Sequence, residues 1–302
     1  MGLPESARLL ADLVAVPSPT RHEADAARML ADRLPRFGWS GSHLDGAGSV
    51  VAERGTGDKE LVLLSHIDTV PGGPEVMISD EVIRGRGSVD AKGPCCAMAV
   101  AGGAVPVPEG WRITFVAAVG EEIDSKGARF RMPLHSPEAC VIGEPTGSDG
   151  VAISYRGRIL FDIKGEDDGA HRSGSPGPIT DSVMAASSII DITRNMGKGY
   201  SVAIMEMEGH EAGKRSASIT MDLRTPLGAD QEELELMIRE TSAAFGVRSE
   251  IIEYVPPYGV HKSDPVIRAF RNAIRDCGGT PRVLAKQGTC DFNVLSPWGC
   301  HM

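Results

Sequence analysis

No apolar run in this chain approaches the roughly 20 residues that a membrane-spanning helix requires, so no membrane partner is expected. None of the six cysteines, Cys95, Cys96, Cys140, Cys277, Cys290 and Cys300, is spaced C-x-x-C. That argues against a zinc ribbon or a thioredoxin-type site. The text MGLPESARLL has no basic stretch leading into an apolar one. The expectation is therefore no export signal, reduced thiols and a cytoplasmic location. Positive charge is in short supply, with 31 Lys and Arg against 41 Asp and Glu and a net charge of -10. Nucleic acid is excluded as the main partner, because phosphate contacts need clustered basic residues. The glycine-rich GRGSVDAKGP lacks the spacing of a nucleotide-binding P-loop. What remains is a chain of 302 residues, 41% hydrophobic and 24% charged. That is an ordinary globular composition, long enough for two domains.

Residues 3–15 and 21–37 carry Leu, Ala and Val at helical spacing. GSVVAER (48–54), LVLLSH (61–66), WRITFVAAVG (111–120) and EACVIGEP (138–145) read as strands, with a helix from Ala91 to about Ala104. Unbroken apolar strands alternating with helices predict an α/β sheet covered on both faces. The pattern changes near Gly150. VAISYRGRILFDIKGE alternates as a half-exposed strand and is followed by a helix at 179–197 and strands at 200–209 and 215–226. A helix at 230–246, capped by Asp230, and a strand at 247–257 complete the stretch. The order β-α-β-β-α-β is that of a ferredoxin-like unit. It predicts an inserted domain over 151–259, with 1–150 and 260–302 forming the other domain. A helix over 263–279, with Ser263 at its cap, opens the return.

The first domain collects acids and imidazole at its strand ends. His66 and Asp68 follow one strand, Asp90 lies in the glycine-rich loop, Glu121 and Glu122 follow the strongest strand, and Glu144 follows the next. Ligands of open α/β sheets bind beyond the carboxyl ends of the strands, so these loops deliver like charges to one edge. A divalent metal supplies the missing counter-charge, and one His with several carboxylates suits zinc, cobalt or manganese. Asp68, two residues beyond His66, is placed to orient the imidazole ring. Each motif alone also has a plainer reading: GEE as a solvated loop, Asp90 as a helix cap, Glu144 before Pro145 as a turn residue. Their convergence on one set of strand-end loops favours the metal.

SHIDTVPGG, GRGSVDAKGP, VGEEIDSKGAR, VIGEPTG and GTCDFNVL resemble the dinuclear zinc aminoacylase and carboxypeptidase family. The resemblance runs from about residue 5 to residue 299. Within the family, DSKGAR, YRGR and GTCDFNVL resemble the branch that hydrolyses LysW-lysine and LysW-ornithine. The resemblance implies a zinc-peptidase-like α/β catalytic domain with an inserted ferredoxin-like α+β lid and dimerisation domain. It implies two divalent ions, zinc or cobalt, with His66 and Glu144 on one, Asp90 bridging both and Glu122 on the second. It also implies Glu121 as general base, Asp68 behind His66 and a cis peptide after Asp90. His171 would stabilise an oxyanion in a neighbouring subunit, and Thr289 and Asn293 would line the substrate pocket. The implied reaction releases lysine or ornithine from the γ-carboxyl of the terminal glutamate of the acidic carrier protein LysW, in lysine or arginine biosynthesis. The implied assembly is a homodimer through the lid. KGYS (198–201) and GKRS (213–216) are candidate basic rims for docking the carrier.

The family takes a further histidine for its second metal from near its C-terminus, and the text after Trp298 departs from that pattern. The expectation is an incomplete C-terminal part and an under-coordinated second site, with His301 the one histidine nearby. Two other readings stay open: an acetylornithine or succinyl-diaminopimelate deacylase, and an inactive remnant.

Overall fold

The computed structural model describes residues 3–169, 176–211 and 213–302. The chain divides into two units, Met1–Ile153 with Val260–Leu284 and Cys290–Met302, and Ser154–Gly259 with Ala285–Thr289. Residues 285–289, expected with the first domain, group with the second unit.

In the first unit, helices α1 (Glu5–Ala15) and α2 (Ala24–Arg33) turn Leu9, Leu13, Ala26, Ala27 and Leu30 into the core. That is the stripe their i, i+4 spacing dictates. The strands are β1 (Ser42–Leu44), β2 (Val50–Gly55) and β3 (Lys59–His66), then a two-stranded ribbon of β4 (Met77–Ile78) and β5 (Ile83–Arg84). After helix α3 (Lys92–Ala104) come β6 (Trp111–Ala118), helix α4 (Lys126–Arg131) and β7 (Ala139–Gly143). The main sheet runs β1-β2-β6-β3-β7. β3 lies parallel to β6 and β7, while β1 and β2 are antiparallel. The buried runs of β3 and β6 explain why LVLL and ITFV show no alternation. Helix α3 approaches closely because a Cβ on Gly103 would sit 2.0 Å from the Phe37 carbonyl oxygen. Lys92 is buried at the start of α3, and its ammonium donates to the carbonyls of Leu13 (3.0 Å) and Val16 (2.8 Å) at the end of α1. A cation is favourable at a helix C-terminus.

The stretch expected as one long strand breaks at Arg156 into β8 (Gly150–Tyr155) and β9 (Gly157–Asp167). Arg156 leaves the ladder, and its guanidinium donates to the carbonyls of Gln287 (2.8 Å) and Gly199 (2.9 Å). Helix α5 (Pro178–Asn195), β10 (Ser201–His210), β11 (Arg215–Thr225), helix α6 (Gln231–Ala244) and β12 (Arg248–Val255) follow. The sheet order is β10-β11-β9-β12 with every pairing antiparallel, the ferredoxin-like arrangement. Ile159, Phe161, Ile163, Ile219, Met221 and Leu223 alternate inward to its core. Asp230 caps α6 as expected, accepting the Glu233 N–H at 3.1 Å.

The returning chain forms β13 (Tyr258–Gly259), helix α7 (Pro265–Asp276), β14 (Arg282–Lys286) and the short helix α8 (Asp291–Val294). The cap of α7 is Asp264, not Ser263: its carboxylate accepts the Val266 N–H at 2.8 Å. Pro265 decides this, because a proline favours the first helical position and so makes the preceding residue the cap. Beyond Trp298, His301 bridges Ala139 in parallel, and the Cys140 N–H donates to the His301 carbonyl at 2.8 Å. These last residues therefore add to the β7 edge of the sheet.

One buried acid at the start of β3 makes the first unit acid-sensitive. Glu60 is 1% exposed, and it meets His135 at 2.9 Å, Thr114 at 2.7 Å and Arg112 at 3.2 Å. Burial alone would raise its pKa, but the bonds from His135, Arg112 and Thr114 outweigh that and hold it down to about 2. A depressed carboxylate stabilises the fold above its unfolded pKa of 4.5 and loses that contribution as pH falls toward about 2. The contribution is roughly 3 kcal/mol. Glu60→Gln is expected to flatten the stability profile across that window in urea titrations. An unchanged slope would refute the assignment.

Candidate metal centre

The main sheet brings the carboxyl ends of β3 and β6 together, because parallel pairing sets His66 beside Ala118. The Glu121–Glu122 pair follows three residues later. His66 is 1% exposed, and its Nδ1 lies 3.0 Å from the main-chain oxygen of Asp68. A carbonyl only accepts, so Nδ1 carries the proton there. Nε2 then faces the cluster, 3.1 Å from Asp90 Oδ1 and 3.9 Å from Glu121 Oε2. The Asp90–Ala91 peptide is cis.

Asp68 does more than the sequence suggests. Its carboxylate lies 3.5 Å from His66 Nδ1, farther than its own carbonyl. The ring is thus held chiefly by the main chain. The fully buried carboxylate accepts the N–H of Glu121 (3.0 Å), the N–H of Glu122 (3.1 Å) and the hydroxyl of Thr20 (2.9 Å). Asp68 therefore fixes the turn that carries the glutamate pair.

Among the described residues, His66, Asp90 and Glu122 offer ligand atoms that all lie within 4.8 Å of one another. Glu121 stands beside this group, and Glu144 follows β7 outside it, although its charge acts on His66 and Glu121. Burial would depress the His66 pKa, but its bonds to Asp68 and Asp90 and the charges of Glu121 and Glu144 lift it well above the usual value. Burial, then the charge of Asp291, pushes Glu121 far above the ordinary carboxylate range, and burial raises Glu122. The protein alone leaves this negative charge uncompensated, and the donor set of imidazole plus carboxylates fits a divalent cation.

Of the other expected positions, Thr289 belongs to the second unit, where its hydroxyl oxygen accepts from Arg224 at 3.0 Å. Asn293 is completely buried, and its side-chain oxygen accepts the Cys290 N–H at 3.1 Å, capping its own helix. His171 lies outside the described residues. His301 Nδ1 pairs with Asp264 at 2.9 Å on the surface. Sequence reading missed Asp291, which is buried beside Glu121 with its pKa raised by burial to about 6. The signal was the acid inside GTCDFNVL, where only its neighbours drew notice.

The model of peptidase family M20/M25/M40 matches residues 62–300. The LysW-lysine hydrolase of Deinococcus radiodurans is 32% identical over 308 residues, covering 95% of this chain and 84% of that protein. The LysW-lysine/LysW-ornithine hydrolase of Saccharolobus islandicus is 28% identical, covering 95% and 82%. A metallo-carboxypeptidase of the M20 family from Sulfolobus solfataricus superposes with a TM-score of 0.76 at 15% identity, over 99% of this chain and 90% of that one. A Staphylococcus aureus tripeptidase gives 0.76 at 18% identity, over 99% and 89%. These two share the fold. An incomplete C-terminal part is not borne out within the matched stretch: the family match runs to residue 300, and His301 bridges Ala139 beside β7.

Proposed function

The chain belongs to peptidase family M20/M25/M40, and on that premise we propose that it is the metal-dependent hydrolase that frees lysine or ornithine from the carrier protein LysW. The bond cleaved is the amide to the γ-carboxyl of the carrier's terminal glutamate, within lysine or arginine biosynthesis in the cytoplasm. The substrate reading is supported by the LysW hydrolases that the chain resembles over nearly its whole length. The observation that carries the chemistry is the His66, Asp90 and Glu122 group with Glu121 at its side.

In this reading His66 and Glu144 would hold one zinc or cobalt ion and Glu122 the second, with Asp90 serving both. A bound metal pair supplies Lewis acidity that acidifies a water and polarises the amide carbonyl. Glu121 takes the proton from the attacking water and passes it to the leaving amine. Asp68 sets the direction of both glutamates through their main-chain N–H groups. No helix among the described residues is long and apolar enough to cross a membrane, consistent with a carrier-borne substrate met in water.

The proposed assembly is a homodimer through the inserted unit. β10 is an edge strand exposed over most of its length, with Ile204, Met205 and Met207 on its surface. An uncovered apolar edge invites pairing with a second copy.

The test compares three substrates with zinc- or cobalt-loaded enzyme: LysW carrying γ-linked lysine, acetylornithine and succinyl-diaminopimelate. Release of lysine from LysW with the highest kcat/KM is expected. Faster deacylation of either small substrate would move the assignment to that deacylase, and no turnover of any would overturn the hydrolase reading.

A further inference from the structure

Three chain segments meet behind the candidate metal centre, and hydrogen bonds close them into a ring. Residues 18–20 run along 67–69. The Thr69 N–H donates to the Ser18 carbonyl (3.0 Å), the Thr20 N–H to the Thr69 carbonyl (3.2 Å), and the Ser18 hydroxyl to the Ile67 carbonyl (2.7 Å). Asp68, in the middle of the second segment, binds the Glu121 and Glu122 N–H groups of the third. That third segment is a tight turn in which the Gly120 carbonyl accepts from Asp124 (3.1 Å) and Ser125 (2.8 Å). The remaining gap, between the first segment and the far end of the turn, is closed by one ion pair, Arg21 to Asp124 at 2.7 Å.

The pair is costly in backbone terms and gives little stability in return. Arg21 has φ +77°, a left-handed conformation that a bulky side chain rarely adopts. The side chains are 48% and 43% exposed, and exposed pairs contribute little to folding. Strain kept at such a place points to function. The Arg21 N–H is also spent locally, donating to the Glu23 carboxylate at 3.0 Å, so the residue is anchored at both its main chain and its guanidinium.

We propose that Arg21 is a positioning residue that, through Asp124, holds the Glu121–Glu122 turn against the end of the His66–Asp68 strand. Asp68 grips the near end of the turn and Arg21 the far end. With both in place the glutamate side chains keep their setting relative to His66 and Asp90. Without the outer grip the turn keeps Asp68 and the Arg129 donation to the Asp124 carbonyl (2.9 Å) but loses its tie to residues 18–21. The inference rests on the proposed roles of Glu121 and Glu122.

The deciding variant is Arg21→Gly, because glycine accepts the left-handed conformation while removing the side chain that carries the guanidinium. A misplacement near 1 Å at a catalytic group lowers turnover steeply, so kcat is expected to fall about tenfold with KM nearly unchanged. The melting temperature should hold or rise slightly, since the backbone strain is relieved. Titration with cobalt(II) alone gives a readout independent of turnover. The variant should bind cobalt several-fold more weakly, with altered visible absorption bands. The exchange Arg21→Asp with Asp124→Arg should restore most of the loss. Wild-type kcat and wild-type cobalt spectra in Arg21→Gly would overturn the proposal, as would a charge exchange that restores nothing. If the wild-type protein hydrolyses none of the substrates, the functional reading fails by itself, and the cobalt spectra still decide whether Arg21 sets the turn.

Discussion

Glu121→Gln is expected to lower kcat roughly a thousandfold while leaving the bound metal in place. Proton transfer by a positioned side chain is typically worth about 10² to 10⁴ in rate, and Glu121 is the acid beside the ligand group that is not counted among its close donors. Glutamine keeps the volume of the buried side chain and loses only the basic oxygen. Metal content by elemental analysis and kcat on the carrier substrate separate the two roles. Retained metal with lost turnover identifies the base. Lost metal would make Glu121 a ligand and move the base elsewhere.

Asp68→Ala gives the largest loss of stability expected at the site. The substitution strips the acceptor from the Glu121 N–H, the Glu122 N–H and the Thr20 hydroxyl in a place with no solvent access. Leaving buried donors without partners costs about 1–3 kcal/mol each at the upper end of experience, and removing one side of a buried ionic contact costs about 3–5 kcal/mol. A loss of about 3–5 kcal/mol is therefore expected in denaturant titrations, together with loss of activity. Asp68→Asn keeps one accepting oxygen and should recover part of the stability but little of the turnover. A wild-type denaturation midpoint in Asp68→Ala would show that the turn is held by other means.

The site was legible in the sequence where its chemistry coincides with strong local pattern. β3 and β6 are buried on both sides, so their ends are marked by the first ionisable residues after an aliphatic run, His66 and the Glu121–Glu122 pair. The ferredoxin-like order was legible for the same reason, since Ile159, Phe161 and Ile163 alternate cleanly. What could not be read depends on contacts between distant segments. Lys92 looks like a surface residue at a helix start, yet it is buried against carbonyls nearly 80 positions earlier. Asp291 lies one residue beyond Cys290 in an unremarkable stretch, and only the fold brings its charge to bear on Glu121. The break at Arg156 has no local cue either, because the arginine leaves the ladder for carbonyls at 199 and 287. The cap of α7 is a different case: Pro265 was in view and fixes Asp264.

The division of the chain also sets an order of assembly. The inserted unit is nearly continuous, needing only 285–289 beyond the stretch 154–259, whereas the first unit draws on three separated segments. Contacts between remote segments form late, because the intervening loop must first be closed. During synthesis the inserted unit can collapse while the strand ends bearing His66, Glu121 and Glu122 still lack α7 and α8. Asp291 joins the cluster from the segment that follows the inserted unit. The charge that most needs a cation is thus gathered in full only after the inserted unit has been made, which sets metal uptake behind the collapse of that unit.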